Sequence, residues 1–199
     1  MISKEANTRV DIHQILKKRW SPRAFSDQPV EKEKLERIFE AARWSPSASN
    51  EQPWYFILGQ KGDKTFDKIF DTLVEFNQLW VKTAPVAVVT VGRIHLLKSG
   101  KPNPWYRYDV GQSVAHLTFQ AAHEGLWVHQ MGGFDENKAK ELFSIPEGFE
   151  AVTAFVVGYM GDYTVLHPNQ QKLELAPRER KPVSDFLFSN TFGEKSDLI

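Results

Sequence analysis

Apolar residues recur every three or four positions in two parts of the chain, which is the spacing of the buried face of a helix. The first stripe predicts a helix from about Glu31 to Arg43, with charged residues on its other face. The second predicts a longer helix that begins after Asn103 and Pro104 and ends at Gly125. The two stripes consist of Leu35, Ile38, Phe39 and Ala42, and of Val110, Val114, Leu117 and Ala121.

Runs of consecutive apolar residues predict strands. Residues 86–91 (VAVVTV) are mostly β-branched, as expected of a central strand that is buried on both faces. Shorter runs at 55–58, 126–131 and 151–157 predict three more strands. Residues 61–82 predict one or two helices between the first two strands. Their side chains expected to point inward are Phe66, Ile69, Phe70, Leu73 and Phe76.

The N-terminal stretch predicts a further helix. Thr8, with Asp11 three residues later, resembles a helix start, and Pro22 would end the helix. The face that it would bury consists of Ile12, Ile15 and Leu16. Arg19 continues this face, and a buried arginine needs an anion. That anion could equally be a local carboxylate, or the side chain could extend along the surface to reach water.

Two stretches carry candidate chemistry. Arg19, Ser21 and Arg23 occupy alternate positions, which point to one side of an extended chain. Two guanidinium groups and a hydroxyl on one side can clamp a phosphate dianion. The second stretch, residues 44–54 (WSPSASNEQPW), is a loop of small polar residues that could lie against a flat ligand or be a solvated turn. Together the two stretches suggest a phosphate-bearing aromatic cofactor.

Two further features have both a structural and a functional interpretation. Gly132 and Gly133 follow a predicted strand, and Asp135 could cap the next helix. The glycine pair is therefore either a strand-to-helix turn or a place where the backbone approaches a ligand. Arg178 and Arg180 are most simply part of a solvated basic turn near the C-terminus.

Composition and missing motifs exclude several classes of function. Lys and Arg total 25, as do Asp and Glu, so no charge excess indicates binding to nucleic acid or an anionic membrane. The absence of cysteine excludes disulfides, thiolate metal sites and a cysteine nucleophile. No dinucleotide-binding glycine motif, P-loop or His-Glu-x-x-His motif is present. The length favours one domain over residues 1–199, with a C-terminal arm from about 165, and no signal or membrane segment is visible, which favours a cytoplasmic protein.

Four segments, taken in order, resemble the FMN-dependent nitroreductase family. They are Arg19–Phe25 (RWSPRAF), Ser45–Trp54 (SPSASNEQPW), Met131–Asp135 (MGGFD) and Arg178–Pro182 (RERKP). Any one of these would be a weak signal, whereas four in the family's order across most of the chain form a specific one. The resemblance implies an α+β fold in which helices flank a central, mostly antiparallel or mixed sheet. It also implies a C-terminal extension that packs on a partner subunit.

The resemblance further implies which residues bind the cofactor. In one subunit, the FMN contacts would come from Arg19, Trp20, Ser21, Arg23, Met131, Gly132, Gly133, Arg178 and Arg180. Across the dimer interface, the partner's loop would contribute Pro46, Ser47, Ala48, Asn50 and Gln52. The amides of the glycine pair would lie at the redox edge of the flavin. The pyrimidine edge would meet a residue within 77–82, which the sequence does not single out.

The implied activity is hydride transfer from NADH or NADPH through bound FMN to a nitroaromatic, a quinone or a similar small electron-poor acceptor. The mechanism would be ping-pong in a homodimer, with N5 of FMN carrying the hydride and with neither a catalytic side chain nor a metal. The alternative is a non-catalytic protein that binds or delivers FMN. It would use the same arginines, so only turnover separates the two.

Overall fold

One antiparallel sheet organises the molecule. The computed structural model describes residues 2–197, so residues 1, 198 and 199 of the predicted single domain lie outside the described residues. The strands are β1 (Trp54–Gln60), β2 (Val86–Arg93), β3 (Trp127–Met131) and β4 (Phe149–Gly158). They lie in the order β1-β2-β4-β3, and each neighbouring pair is antiparallel. The predicted α+β class with a central antiparallel sheet is confirmed.

Strand β2 lies inside the sheet, and each of its residues is buried. Its alternate side chains face two separate cores. Ala87, Val89 and Val91 belong to one core, and Val86 and Val88 belong to the other. Because helices cover both faces of the sheet, the strand is apolar along most of its length, as its β-branched run predicts.

Helices flank the sheet on both sides. They are α1 (Gln14–Lys18), α2 (Lys32–Arg43), α3 (Lys64–Thr72), α4 (Glu75–Val81), α5 (Tyr106–His123), α6 (Glu136–Leu142) and α7 (Pro168–Leu175). Helices α2 and α5 contribute to the core that contains Val86, and α3 and α6 contribute to the core that contains Val89. Within residues 2–197, none of the helices has both the length and the apolar character that a bilayer span requires.

The two helices predicted from apolar stripes are confirmed. Helix α2 buries Leu35, Ile38 and Ala42, and its N-cap is Glu31. Helix α5 buries each of the four predicted stripe residues. Gly125 follows the end of α5 with φ of 75°, a left-handed conformation that glycine adopts without steric cost.

The N-terminal helix is shorter than predicted. Helix α1 begins at Gln14, because His13 caps it by accepting a hydrogen bond from the Ile15 amide, and it ends at Lys18. The predicted buried face runs from Ile12 to Arg19, seven positions later, and a helix of five residues is too short to contain it. Ile12 lies before the helix and is exposed. Arg19 therefore lies in the extended segment that follows the helix, and the prediction that it continues a helix face is wrong.

Helix α7 was not predicted from the sequence. Its buried residues are Gln170 and Glu174, which are both polar, so a search for apolar periodicity could not detect its inner face. The inward position predicted for Phe76 is also wrong, because this ring is 45% exposed. The neighbouring Asn77 is buried in its place.

Candidate functional site

The segment from Arg19 to Arg23 is extended and alternates as the sequence predicts. Arg19, Ser21 and Arg23 are partly exposed, and the residues between them are buried. The buried Trp20 packs edge-to-face against Trp127 of β3, with ring centroids 5.9 Å apart. These apolar contacts hold the segment beside β3, so the polar side chains at alternate positions are left on the open side.

Three arginines from distant parts of the chain lie close together. Burial lowers the pKa of the Arg19 guanidinium, and the charge of Arg180 lowers it further. Burial also lowers the pKa of Arg178, as do the charges of Arg19 and Arg180. Arg178 donates hydrogen bonds of 2.8 Å to the carbonyls of Lys4 and Lys17, which fixes it beside the end of α1. We call Arg19, Arg178 and Arg180 the arginine cluster.

The arginine cluster carries unbalanced positive charge. Among residues 2–197, none of its three guanidinium groups forms an ion pair with a carboxylate, and Arg178 and Arg180 bond only to backbone carbonyls. Arg178 and Arg180 also line a cavity of about 300 Å³ together with Arg9 and Lys181. Arg19 and Arg178 are partly buried, whereas Arg180 is exposed. Cations that repel one another in this way are stabilised by an anion, and guanidinium forks match the oxygens of a phosphate or carboxylate.

The polar loop before β1 has an unusual backbone. Ser49, Asn50 and Gln52 have φ of 52°, 55° and 46°, a left-handed conformation that is unfavourable for residues with a side chain. Such a conformation costs about 1–3 kcal/mol per residue and persists only where neighbouring contacts enforce it. Here Ser47 Oγ accepts a 3.0 Å bond from the Gln52 amide, and Asp109 Oδ2 accepts a 3.2 Å bond from the Ala48 amide.

A buried ion pair anchors the far end of this loop. Arg93 Nη2 donates to the carboxylate of Glu51 at 2.9 Å and to the Glu51 carbonyl at 2.8 Å. The Glu51 carboxylate also accepts a 2.7 Å bond from the Leu97 amide. Glu51 and Arg93 were not assigned a role from the sequence. The ion pair fixes the loop on the protein, so Asn50 is presented outward on a rigid support.

The loop and the arginine cluster do not meet within one chain. The loop contacts Asp109 in the first turn of α5, whereas Arg19 lines a cavity with His123 at the other end of α5. His123 lies fourteen positions after Asp109 on the helix, which corresponds to about 20 Å. The loop also leads into β1, and the Arg19 segment lies beside β3, at the opposite edge of the sheet.

The glycine pair at the end of β3 combines an open position with a tightly packed one. A Cβ on Gly132 would meet nothing within 4 Å, whereas a Cβ on Gly133 would lie 2.9 Å from both Asn77 Nδ2 and Val74 Cγ2. Asn77 Nδ2 donates a 2.9 Å bond to the Gly133 carbonyl. Gly133 is therefore required by packing. At Gly132 the free space remains available to a ligand.

Comparison with known proteins decides the family. A model of the nitroreductase family matches residues 16–78. A solved structure described as an oxidoreductase containing FMN superposes with a TM-score of 0.91 and is 33% identical, over 98% of this chain and 100% of that chain. The chain belongs to the nitroreductase family.

Two archaeal relatives agree with membership of the nitroreductase family. A protein of Archaeoglobus fulgidus named "Putative NADH dehydrogenase/NAD(P)H nitroreductase" is 30% identical over 148 residues, which cover 72% of this chain and 82% of that protein. A protein of the same name from Methanothermobacter thermautotrophicus is 30% identical over 156 residues, which cover 76% of this chain and 78% of that protein. The resemblance inferred from the four sequence segments is confirmed.

The flavin contacts expected of a nitroreductase stay predictions, and the structure shows which of these residues lie together. Trp20 and Met131 are buried, so either could meet a cofactor only through its main chain. The ionic partner of Arg23 is Glu174, whose Oε2 lies 4.0 Å from Arg23 Nη1. No role was assigned to Glu174 from the sequence, and Asn77 was not singled out within residues 77–82. Both are buried polar residues, and such residues add nothing to the periodic pattern of apolar positions from which helices are predicted.

His129 couples the Arg19 segment to β3. Its Nδ1–H donates a 2.8 Å bond to the Pro22 carbonyl, which fixes the tautomer, and its ring lies 4.5 Å from that of Trp80. Burial lowers the pKa of His129 to about 4, and the positive charge of Arg23 contributes in the same direction. The ring is therefore neutral at physiological pH.

This shift predicts a loss of stability in acid. Unfolded His129 binds a proton below its ordinary pKa of about 6.5, whereas the folded protein resists protonation until about pH 4. The unfolded state therefore binds more protons between these values, so the free energy of unfolding falls as the pH falls. Between about pH 7.5 and pH 5, His129 should account for a loss of about 2 kcal/mol.

Urea denaturation of the wild type and of His129→Asn at these two pH values measures the contribution. The asparagine amide can still donate to the Pro22 carbonyl but does not titrate, so the variant should lose about 2 kcal/mol less than the wild type. His123→Asn, at an exposed histidine, is the matched control. Equal pH dependence in all three proteins would contradict a neutral, buried His129.

Proposed function

We propose that this protein is an oxidoreductase that binds FMN between two copies of the chain. It would use NADH or NADPH as the electron donor and nitroaromatics, quinones or similar electron-poor molecules as acceptors, in two separate half-reactions. The observation that carries the proposal is the arginine cluster. Its three guanidinium groups come from the two ends of the chain, and none has a carboxylate partner among residues 2–197.

The residues present fit the phosphate of FMN. A phosphate monoester carries nearly two negative charges and three acceptor oxygens at neutral pH. The arginine cluster offers the complementary charges and donors, and Ser21 lies on the open side of the adjoining segment. Arg19, Arg178 and Arg180 would hold the phosphate. It would offset the burial and the mutual repulsion that lower the pKa values of Arg19 and Arg178.

The backbone at the end of β3 fits the ring system of a flavin. Among the described residues, the N–H groups of Gly132 and Gly133 donate to no other backbone group, and Gly132 has open space where a Cβ would be. These amides would orient the ligand and favour negative charge at its edge. Asn77 holds Gly133 in place through its carbonyl, so it would position this backbone.

Bound FMN would supply the hydride chemistry of both half-reactions. The protein's own side chains then need only bind, orient and exclude water. His129 is neutral and already donates to Pro22, and among residues 2–197 no cluster of three metal-ligating side chains is present. Solvent can provide the protons that an acceptor requires.

The separation of the loop and the arginine cluster supports the proposed homodimer. Because about 20 Å lies between them within one chain, the loop of a second copy would complete the site. Ser47, Ala48 and Asn50 would then contact the cofactor held by the partner. Exposed apolar side chains near this face, such as Trp44 at 73% exposure, are consistent with such an interface.

Anaerobic stopped-flow spectroscopy tests the proposed activity. Protein reconstituted with FMN is mixed with NADH or NADPH, and the visible flavin absorbance should bleach with at least one donor. A second mixing step with a nitroaromatic or a quinone should restore the absorbance. Tight FMN binding without bleaching by either donor would instead indicate a protein that stores or delivers FMN.

A further inference from the structure

We propose that Glu174 is a positioning residue for the phosphate-binding segment, because its buried carboxylate fixes the backbone at Arg23 and Ala24. The proposal rests on the proposed function, since the ligand of this segment is taken to be the phosphate of FMN. It adds a residue outside the four family-like segments of the sequence. Its physical basis is the set of contacts between α7 and the extended segment.

The carboxylate of Glu174 binds two consecutive backbone amides. Arg23 N–H donates to Oε1 at 2.9 Å and to Oε2 at 3.0 Å, and Ala24 N–H donates to Oε1 at 3.1 Å. The side chain of Glu174 is only 1% exposed. A buried carboxylate requires this degree of hydrogen bonding, and in return it determines the direction of the backbone that donates to it.

Arg23 is the nearest cation to the Glu174 carboxylate, but only part of its guanidinium faces the carboxylate. Arg23 Nη1 lies 4.0 Å from the carboxylate, whereas Arg23 Nε is buried and has no partner among the described residues. Lys4 Nζ donates a 2.8 Å bond to the Glu174 carbonyl and lies over the ring of Trp20. Glu174 therefore holds the main chain of Arg23 firmly and leaves part of its guanidinium unused, as a ligand-binding arginine requires.

Helix α7 connects this segment with the glycine pair. Gln170, one turn before Glu174, donates through Nε2 to the Phe76 carbonyl at 3.2 Å. The next residue, Asn77, donates to the Gly133 carbonyl. The two buried polar residues of α7 thus support both regions where FMN would be held. The chain then continues from α7 to Arg178 of the arginine cluster.

Two roles of Glu174, one through its charge alone and one through positioning the backbone, predict opposite changes in FMN affinity when its carboxylate is neutralised. A carboxylate near the phosphate repels it, so removing the charge would tighten FMN binding if Glu174 acted only through its field. If Glu174 instead positions the segment, Glu174→Gln replaces Oε2, which accepts from the Arg23 amide at 3.0 Å, with an NH2 group that cannot accept. The remaining oxygen carries no charge, so the backbone is held less firmly and FMN binding weakens. The sign of the change therefore identifies the role.

The test compares the affinities of FMN and riboflavin, which lacks the phosphate, for the wild type and for Glu174→Gln. Positioning predicts that FMN binds at least about tenfold more weakly to the variant, while the affinity for riboflavin changes much less. Glu147→Gln, at an exposed glutamate in the turn before β4, is the control and should match the wild type. A general loss of structure would weaken both ligands equally.

Two results would overturn the role of Glu174, namely tighter FMN binding or an unchanged ratio of the two affinities. A wild type that does not prefer FMN to riboflavin would overturn the proposed function itself, and this role with it. Amide hydrogen exchange of the flavin-free wild type tests the role of Glu174 without a substitution. The amides of Arg23 and Ala24 should be strongly protected, and free exchange at both would also overturn the proposal.

Discussion

Replacing Arg19 with glutamine is expected to weaken FMN binding about 100-fold and to leave the flavin-free protein slightly more stable. The loss of affinity follows from the removal of charge-assisted hydrogen bonds to the phosphate, which together contribute about 3 kcal/mol. The gain in stability follows because Arg19 is partly buried beside Arg180 and has no carboxylate partner among the described residues.

The opposite signs make this prediction specific. A residue that only supports the fold would destabilise the flavin-free protein when it is replaced, whereas a ligand-binding cation is unfavourable until its anion is present. The free energy of unfolding of the flavin-free Arg19→Gln variant should therefore exceed that of the wild type by up to about 1 kcal/mol. Its unfolding temperature should be equal to or higher than that of the wild type. Addition of FMN should stabilise the wild type much more than the variant.

Isothermal titration calorimetry with FMN measures the affinity, and thermal unfolding with and without FMN measures the stability. Arg43→Gln is the control, because Arg43 is exposed and already paired with Glu40 on the same helix. That variant should bind FMN as the wild type does. Loss of stability without FMN, combined with normal FMN affinity, would show that Arg19 is a structural residue.

A mixed dimer should recover half of its FMN sites when each subunit carries a different defect. One subunit carries Arg19→Gln in the arginine cluster, and the other carries Asn50→Asp in the loop. Aspartate keeps the preference for the left-handed conformation at residue 50, where φ is 55°, but it cannot donate a hydrogen bond. Each variant alone, as a homodimer, should have two weakened sites.

The recovery follows from the symmetry of a shared site. If the loop of one subunit completes the cluster of the other, the mixed dimer contains one site with both defects and one with neither. About half of its sites should then bind FMN with wild-type affinity. If each site were formed within one chain, each would carry one defect and no site would be restored.

Two affinity tags, one on each subunit, allow the mixed dimer to be purified after co-expression. Titration with FMN should be biphasic, with a tight phase that matches the wild type. The homodimer of each variant, purified in the same way, provides the reference for the weak phase. A single weak phase in the mixed dimer would contradict a site shared between subunits.

Much of the scaffold could be predicted from the sequence, because its helices and strands bury apolar side chains. The stripe of α5 and the β-branched run of β2 follow directly from burial on one face and on two faces. The alternation of Arg19, Ser21 and Arg23 follows from the geometry of an extended chain.

The rest of the site depends on polar contacts between distant segments. Helix α7 buries Gln170 and Glu174, which do not differ in type from surface residues, so no pattern marks its inner face. The contact between Asn77 and Gly133 joins residues that are 56 positions apart, and the Glu51–Arg93 pair joins residues 42 positions apart. Such partners become visible only when the sheet brings them together.

The N-terminal helix shows how one local contact can replace a longer pattern. The sequence favours a start near Thr8, but the His13 ring accepts from the Ile15 amide, and the helix begins at Gln14. The early end at Lys18 has a functional consequence. It places Arg19 in an extended segment, where the buried neighbours Trp20 and Pro22 orient it beside Arg178 and Arg180.

Titration of the flavin-free wild type with FMN and with riboflavin tests most directly whether the arginine cluster selects a flavin phosphate. The two ligands share the isoalloxazine ring and differ in the phosphate, so the ratio of their dissociation constants isolates the contribution of the cluster. Three guanidinium groups that have no carboxylate partner in the described part of the chain predict that FMN binds at least about 100-fold more tightly, and that added salt reduces this preference. Equal affinities for the two flavins would contradict the assignment of the cluster.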